Sequence, residues 1–175
     1  MYNPNQLILS TRPVELADLD SINTILSAWL RDVETDELLV ADIAEADKTI
    51  VTTLTSRSDG EFYVAVNPDN HVLGVIGLLP LSDNLRQYAE SERPFEIVNN
   101  YVRFGERAKG VGKALLNCVE ASALQYDATE LIVSSGPKYK KTAWGFYEKF
   151  FGSPVATLEG YYGTETITQV WQKVF

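Results

Sequence analysis

A chain of 175 residues with 45% hydrophobic and 22% charged residues is long enough to bury a core as one domain, 1–175, and has the balance of a soluble globular protein. Its formal net charge of −9 argues against general affinity for nucleic acid or anionic lipid, while leaving room for a local anion site. A single cysteine, Cys118, excludes an intrachain disulfide, and with neither an apolar run long enough to span a bilayer nor a charged and then apolar start, a cytoplasmic location is expected.

In chain order, the first predicted strand is Leu7–Thr11, closed by Pro13. Val14, Leu16, Leu19, Ile22, Ile25, Leu26 and Trp29 recur at helical spacing and predict a helix. A second helix is predicted from a Thr35 cap to about Ser56. "EFYVAV" and "HVLGVIGLLP" read as a hairpin turning at "NPDN". Residues 82–94 are polar and predict a loop with at most a helical turn. "FEIVNNYVRF" is the next strand, its alternation interrupted by Asn99 and Asn100, and a helix follows from about Ala108 to Tyr126. Its apolar face is Val111, Ala114, Leu115, Cys118, Val119 and Ser122. "ELIVSS" is near-continuously apolar and reads as a central strand. A basic loop "GPKYKKT", a short helix "AWGFYEKF", a strand "SPVATLE" and a terminal strand "TITQVWQKVF" complete the chain. The order predicts one α/β or α+β layer with a mixed sheet.

The segment "RFGERAKGVGKALLN" concentrates glycine and positive charge just before a helix. A helix N-terminus presents unpaired N–H groups and the positive end of the macrodipole, and glycine lets that backbone approach an anion. The combination suits a phosphate cradle, to which Arg107, Lys109 and Lys113 add charge. A tight turn with no ligand fits the spacing as well. The segment is neither a P-loop nor the dinucleotide pattern GxGxxG.

"IVNNYVRFGERAKGVGKALLN" resembles the acetyl-CoA-binding motif of the GCN5-related N-acetyltransferase (GNAT) family, a strand and short loop followed by (Arg/Gln)-x-x-Gly-x-(Gly/Ala) opening a helix, here Arg107-Ala108-Lys109-Gly110-Val111-Gly112. Downstream, Ala143, Phe146, Tyr147, Glu148 and Lys149 resemble that family's second signature. Residues 95–152 carry the resemblance, and the first ninety agree only in their pattern of elements. It implies a mixed, mostly antiparallel sheet flanked by helices around a central β-α-β-α acetyl-CoA-binding core.

The resemblance further implies that the amides of residues 107–112, with Lys113 beside them, hold the pyrophosphate of acetyl-CoA. The strand at Tyr101, Val102 and Arg103 would pair with the pantetheine and polarise the thioester. Asn99 and Asn100 would mark a bulge that opens a slot for the cosubstrate; two solvent-facing asparagines are the other reading. Tyr147 matches the tyrosine that protonates the departing thiolate, and Glu96 the strand glutamate that takes the amine's proton. Desolvation of a half-buried glutamate can raise its pKa toward that task. Three positions depart from the family pattern. Phe104 stands where proline is common, Ala108 where glycine is usual, and Lys140 where an asparagine often contacts the cosubstrate.

Seven of the fifteen cations, Arg103, Arg107, Lys109, Lys113, Lys138, Lys140 and Lys141, fall in two short segments. Residues 15–47 hold ten acids against one arginine, Arg31. An acidic rim on the acceptor side would attract a cationic amine, although exposed acids also simply solvate helices. His71 alone makes no metal site, so no metal is expected. Cys118, Trp29, Trp144 and Trp171 read as packing residues, and Tyr161 and Tyr162 as candidates for the acceptor pocket. The expected activity is transfer of an acetyl group from acetyl-CoA to a small-molecule or peptide amine. The rivals are a CoA-binding module without catalysis and an unrelated nucleotide-binding α/β protein. The terminal strand could pair with a second chain in a homodimer or lie inside the sheet.

Overall fold

A computed structural model describes residues 8–56, 59–160 and 167–175. Strand β1 (Ser10–Pro13) runs antiparallel to β2 (Glu61–Val66). It lies slightly beyond the predicted Leu7–Thr11, of which Leu7 is outside the described residues. Proline is tolerated at its end because β1 pairs on one side only, as an edge strand. Arg12 on β1 donates to both carboxylate oxygens of Asp18 at 2.7 and 2.9 Å, and the Glu15 amide donates to the same group at 2.9 Å. The guanidinium holds the Asp18 carboxyl below its usual range, and the carboxylate holds Arg12 above its own. This pair fixes the approach to helix α1 (Leu19–Trp29), whose buried stripe is Ile22, Ile25 and Leu26.

Helix α2 (Val40–Thr55) begins later than Thr35. Asp32 accepts the amides of Glu34 at 2.9 Å and Thr35 at 2.8 Å, and Asp36 sits at φ +58, so this stretch closes into a turn. Strands β2 and β3 (Val72–Pro80) form the expected hairpin. Asn67 fixes its turn by accepting the amides of Asp69 at 3.1 Å and His71 at 2.8 Å, while Asn70 takes φ +61. The polar stretch after β3 contains one 3₁₀ segment, Asp83–Tyr88. Its far end is held by Glu130, whose buried carboxylate accepts the amides of Glu90 and Ser91 at 3.0 Å each and the Ser91 hydroxyl at 2.8 Å.

Strand β4 (Pro94–Val102) precedes helix α3 (Val111–Gln125), strand β5 (Glu130–Ser135), helix α4 (Gly145–Phe151), strand β6 (Ala156–Glu159) and strand β7 (Ile167–Val174). Helix α3 starts at Val111 rather than Ala108 because Ala108 and Gly110 have φ of +59 and +91, outside the helical range. Lys140–Trp144 form a π-helical turn ahead of α4. The strands are ordered β1-β2-β3-β4-β5-β7-β6 in one seven-stranded sheet, with β4–β5 parallel and β1–β2, β2–β3, β5–β7 and β6–β7 antiparallel. This is the mixed sheet that the order of elements predicts, mostly antiparallel as the family resemblance implies. Strand β7 lies between β5 and β6 in the strand order, so it is an inner strand, with β6 covering only its first half, Ile167–Val170.

Two compact units are distinguishable. One comprises the described residues up to Leu78 with Val98–Ser122, and the other Leu79–Ile97 with Ala123–Phe175. In the first, Phe62, Val64, Val75 and Ile76 of the hairpin are buried, as are Ile22, Ile25 and Leu26 of α1 and Ile50 of α2. In the second, Leu81, Leu85, Ile132 and Val170 form a buried cluster flanked by Tyr88 and Leu158. Among the described residues no helix is long and apolar enough to cross a membrane.

Candidate active site

The glycine segment lies in the first unit and is built from β4 outward. The Arg103 amide donates to the Leu73 carbonyl at 2.8 Å, which ties the end of β4 to β3. Phe104–Glu106 form one 3₁₀ turn. The left-handed dihedrals at Ala108 and Gly110 then reverse the chain, and the Gly110 carbonyl accepts the Ala114 amide at 3.0 Å as the first bond of α3. By helical geometry the amides of Val111, Gly112 and Lys113 have no acceptor within α3. A Cβ at Gly110 would meet nothing within 4 Å, so glycine is required there by its dihedral and not by space.

Gly74 on β3 sets the depth of the helix start. A Cβ there would lie 2.9 Å from the Tyr101 carbonyl oxygen, 3.0 Å from Leu115 and 3.2 Å from Val111. The bare backbone at Gly74 therefore lets the first turn of α3 sit down on the sheet. Val111, Leu115, Leu116, Val119 and Ala123 are all buried, which extends the predicted face. Cys118 is half-buried, and burial pushes its thiol up, so it is no activated nucleophile.

The cations of this segment divide by partner. Lys109 is paired to Glu106 at 3.2 Å. Arg107 instead lies over aromatic faces, 5.3 Å from the Trp29 ring centre and 5.8 Å from that of Phe104. Those rings stack on each other at 4.5 Å with 16° between their planes, and the Trp29 indole N–H donates to the Val102 carbonyl at 2.8 Å. Trp29 thus belongs beside the cradle. Sequence spacing places it only on the apolar stripe of α1, because its partners come from a strand far along the chain. Phe104, the departure from proline, is its stacking partner.

The second unit holds the two proton-handling candidates. Glu96 on β4 is half-buried and accepts the Ser82 amide at 3.2 Å. Burial pushes its carboxyl up, with Ser82 acting against that rise. Ser82 lies in the polar stretch after β3 and had no signal of its own in the sequence. Tyr147 on α4 is 5% exposed, its ring 5.4 Å from that of Trp171. Glu96 is level with Ile132 of β5, and Trp171 is opposite Val133. Neighbouring residues on a strand point to opposite faces, so Glu96 and Tyr147 lie on opposite faces of the sheet in this unit.

The parallel β4–β5 register covers Pro94–Ile97 against Glu130–Val133. Two residues beyond Ile97, Asn99 takes φ +50 inside the strand, a departure from extended backbone where the family resemblance implies a bulge. In the second unit, the Trp144 indole donates to the carbonyls of Ser135 and Gly136 at 3.2 and 3.3 Å. The exposed Lys140 ammonium rests 5.4 Å from the Trp144 ring. Tyr161 and Tyr162 lie outside the described residues. Among the described residues no group of three or more His, Cys, Asp or Glu could hold a metal ion.

The model of the acetyltransferase (GNAT) family matches residues 19–152. The chain belongs to the GNAT family. That match takes in α1, the glycine segment and α4, and so reaches well ahead of the two motifs that carry the resemblance in sequence. A structure assigned to the GNAT family from Desulfovibrio desulfuricans is 18% identical, with a TM-score of 0.74 over 95% of this chain and 99% of that one. An N-acetyltransferase from Staphylococcus aureus is 15% identical, with a TM-score of 0.70 over 95% of this chain and 98% of that one. A variant of the spermidine N-acetyltransferase from Vibrio cholerae is 13% identical, with a TM-score of 0.68 over 95% of this chain and 93% of that one. These likenesses establish the GNAT fold. No curated protein matches the chain in sequence.

Proposed function

We propose that this GNAT chain transfers the acetyl group of acetyl-CoA to a primary amine by direct attack, as one N-acetyltransferase domain. The observation that carries the reading is the loop into α3. Left-handed Ala108 and Gly110 turn the backbone so that the helix opens on amides with no internal acceptor, beside an arginine with no carboxylate partner among the described residues. Arg107, Ala108, Lys109, Gly110, Val111, Gly112 and Lys113 would hold the pyrophosphate. The strand residues Tyr101, Val102 and Arg103 would run along the pantetheine, and Lys140 would add charge near a phosphate.

In this reading the neutral amine nitrogen attacks the thioester carbon and the carbonyl oxygen becomes an oxyanion. Collapse of that intermediate breaks the C–S bond. Glu96 takes the proton from nitrogen, directly or through water, and the Tyr147 phenol returns one to sulfur. A carboxyl raised by burial suits the base, since its affinity for a proton is brought closer to that of the amine.

The acceptor follows from charge. Asp20, Glu34, Asp36, Glu37, Asp42 and Glu45 are exposed along α1, the turn after it and α2. This favours a cationic small molecule, such as the polyamine class acted on by the Vibrio cholerae enzyme, or a basic peptide amine. A cytoplasmic location accords with a free, half-buried cysteine.

The test is calorimetric titration of acetyl-CoA into the wild type and Arg107→Glu, followed by an amine panel read by release of free CoA thiol. Micromolar binding that the variant loses, with turnover of at least one amine, supports the reading. Absence of binding to the wild type overturns the cosubstrate assignment.

A further inference from the structure

We infer that Trp29 and Phe104 are positioning residues that hold Arg107 ready for phosphate. This rests on the reading of Arg107 as part of the pyrophosphate cradle.

Arg carries five N–H donors in its plane and a delocalised charge across its faces. A carboxylate partner would occupy those donors, as Glu106 occupies the ammonium of Lys109 at 3.2 Å. Among the described residues Arg107 has aromatic partners and no carboxylate, with Trp29 and Phe104 at 5.3 and 5.8 Å. An aromatic face attracts the charge without consuming a donor, so the hydrogen-bonding capacity remains for a phosphate. The plate itself is fixed. Trp29 is the last residue of α1, its indole N–H is anchored on the Val102 carbonyl at 2.8 Å, and Phe104 stacks on it at 4.5 Å. The final turn of α1 and the end of β4 thus meet on one arginine side chain, which would otherwise have to be ordered when the ligand binds.

The consequence is that Trp29 contributes to acetyl-CoA affinity only through Arg107. Trp29→Leu, which removes the ring and the N–H, is expected to weaken acetyl-CoA binding about 5-fold, with kcat within about 2-fold of the wild type. Trp29→Phe, which keeps a ring for stacking, is expected to bind within about 2-fold of the wild type. In an Arg107→Ala background, Trp29→Leu should have no further effect, because the residue it positions is gone.

The experiment is this double-mutant cycle by calorimetry with acetyl-CoA, together with NMR of the Arg107 side chain in the free protein. An upfield ring-current shift of the Arg107 methylene protons, lost in Trp29→Leu and kept in Trp29→Phe, together with a non-additive cycle, supports the inference. Equal losses from Trp29→Leu in both backgrounds, or no shift in the wild type, overturn it and leave the acetyl-CoA reading standing. A clear shift with no acetyl-CoA binding to the wild type overturns that reading instead, and the positioning role with it.

Discussion

The loop that opens α3 holds a side chain where the backbone disfavours one. Ala108 is at φ +59 and Gly110 at φ +91, so the same loop contains one left-handed residue with a Cβ and one without. A left-handed L-residue costs roughly 1–2 kcal/mol. Ala108→Gly removes that strain, while the extra freedom of glycine in the unfolded chain takes back about 0.4–1 kcal/mol. The net expectation is a gain of about 0.5–1 kcal/mol, or about 1–4 °C in Tm for a chain of this size. Gly110→Ala runs the balance backwards. Its Cβ would meet nothing within 4 Å, so only the dihedral opposes it, and a loss of about 0.5–1 kcal/mol is expected. Thermal unfolding at neutral pH, with urea midpoints at constant m as a second measure, would read both. Acetyl-CoA titration should leave Ala108→Gly within about 2-fold of the wild type, because no amide of the cradle is removed. Midpoints that move in the same direction for the two variants would refute the reasoning, since opposite signs follow from any loop holding both residues left-handed.

Three other substitutions probe the chemistry and its support. Glu96→Gln keeps the volume and an acceptor for the Ser82 amide; it should lower kcat/KM about 100-fold and erase the acid limb of the pH profile. In the wild type that limb should lie above the ordinary glutamate value of about 4.3, because burial raises this carboxyl and the base works only when deprotonated. The sign for stability is opposite: the folded state binds this proton more tightly than the unfolded state, so the contribution is present at low pH and lost as pH rises through the folded pKa. Urea midpoints from pH 4 to 8 should therefore fall less with rising pH in Glu96→Gln than in the wild type. Tyr147→Phe retains the ring against Trp171, so acetyl-CoA affinity should hold while turnover falls about 100-fold; wild-type turnover of an identified amine would remove Tyr147 from the reaction. Gly74→Ala would bring a Cβ within 2.9 Å of the Tyr101 carbonyl oxygen. Because backbone must yield, a loss of about 1–3 kcal/mol is expected in urea unfolding, with weaker acetyl-CoA binding as the start of α3 lifts.

What the sequence by itself determined was local or periodic. The apolar runs of β2, β3 and β5 are visible because strands buried on both faces are apolar almost throughout, the apolar face of α3 because helical burial recurs near every fourth residue, and the "NPDN" turn because its residues favour turns. The glycine motif and the α4 signature are likewise short-range patterns, and they placed the chain in the family that its fold and the family match show. Boundaries were less legible where a side chain competes with helix for backbone donors, as Asp32 does ahead of α2. They also failed where a non-glycine residue adopts a left-handed dihedral, as Ala108 does ahead of α3. Tertiary structure alone decided that β7 is an inner strand, because pairing on both sides is a property of the sheet and not of "QVWQKVF". It alone put Trp29 over Arg107, since α1 and the end of β4 are distant in sequence and meet only through the fold. It alone set Glu96 and Tyr147 on opposite faces, because that relation is fixed by the β4–β5–β7 register, which no single strand encodes.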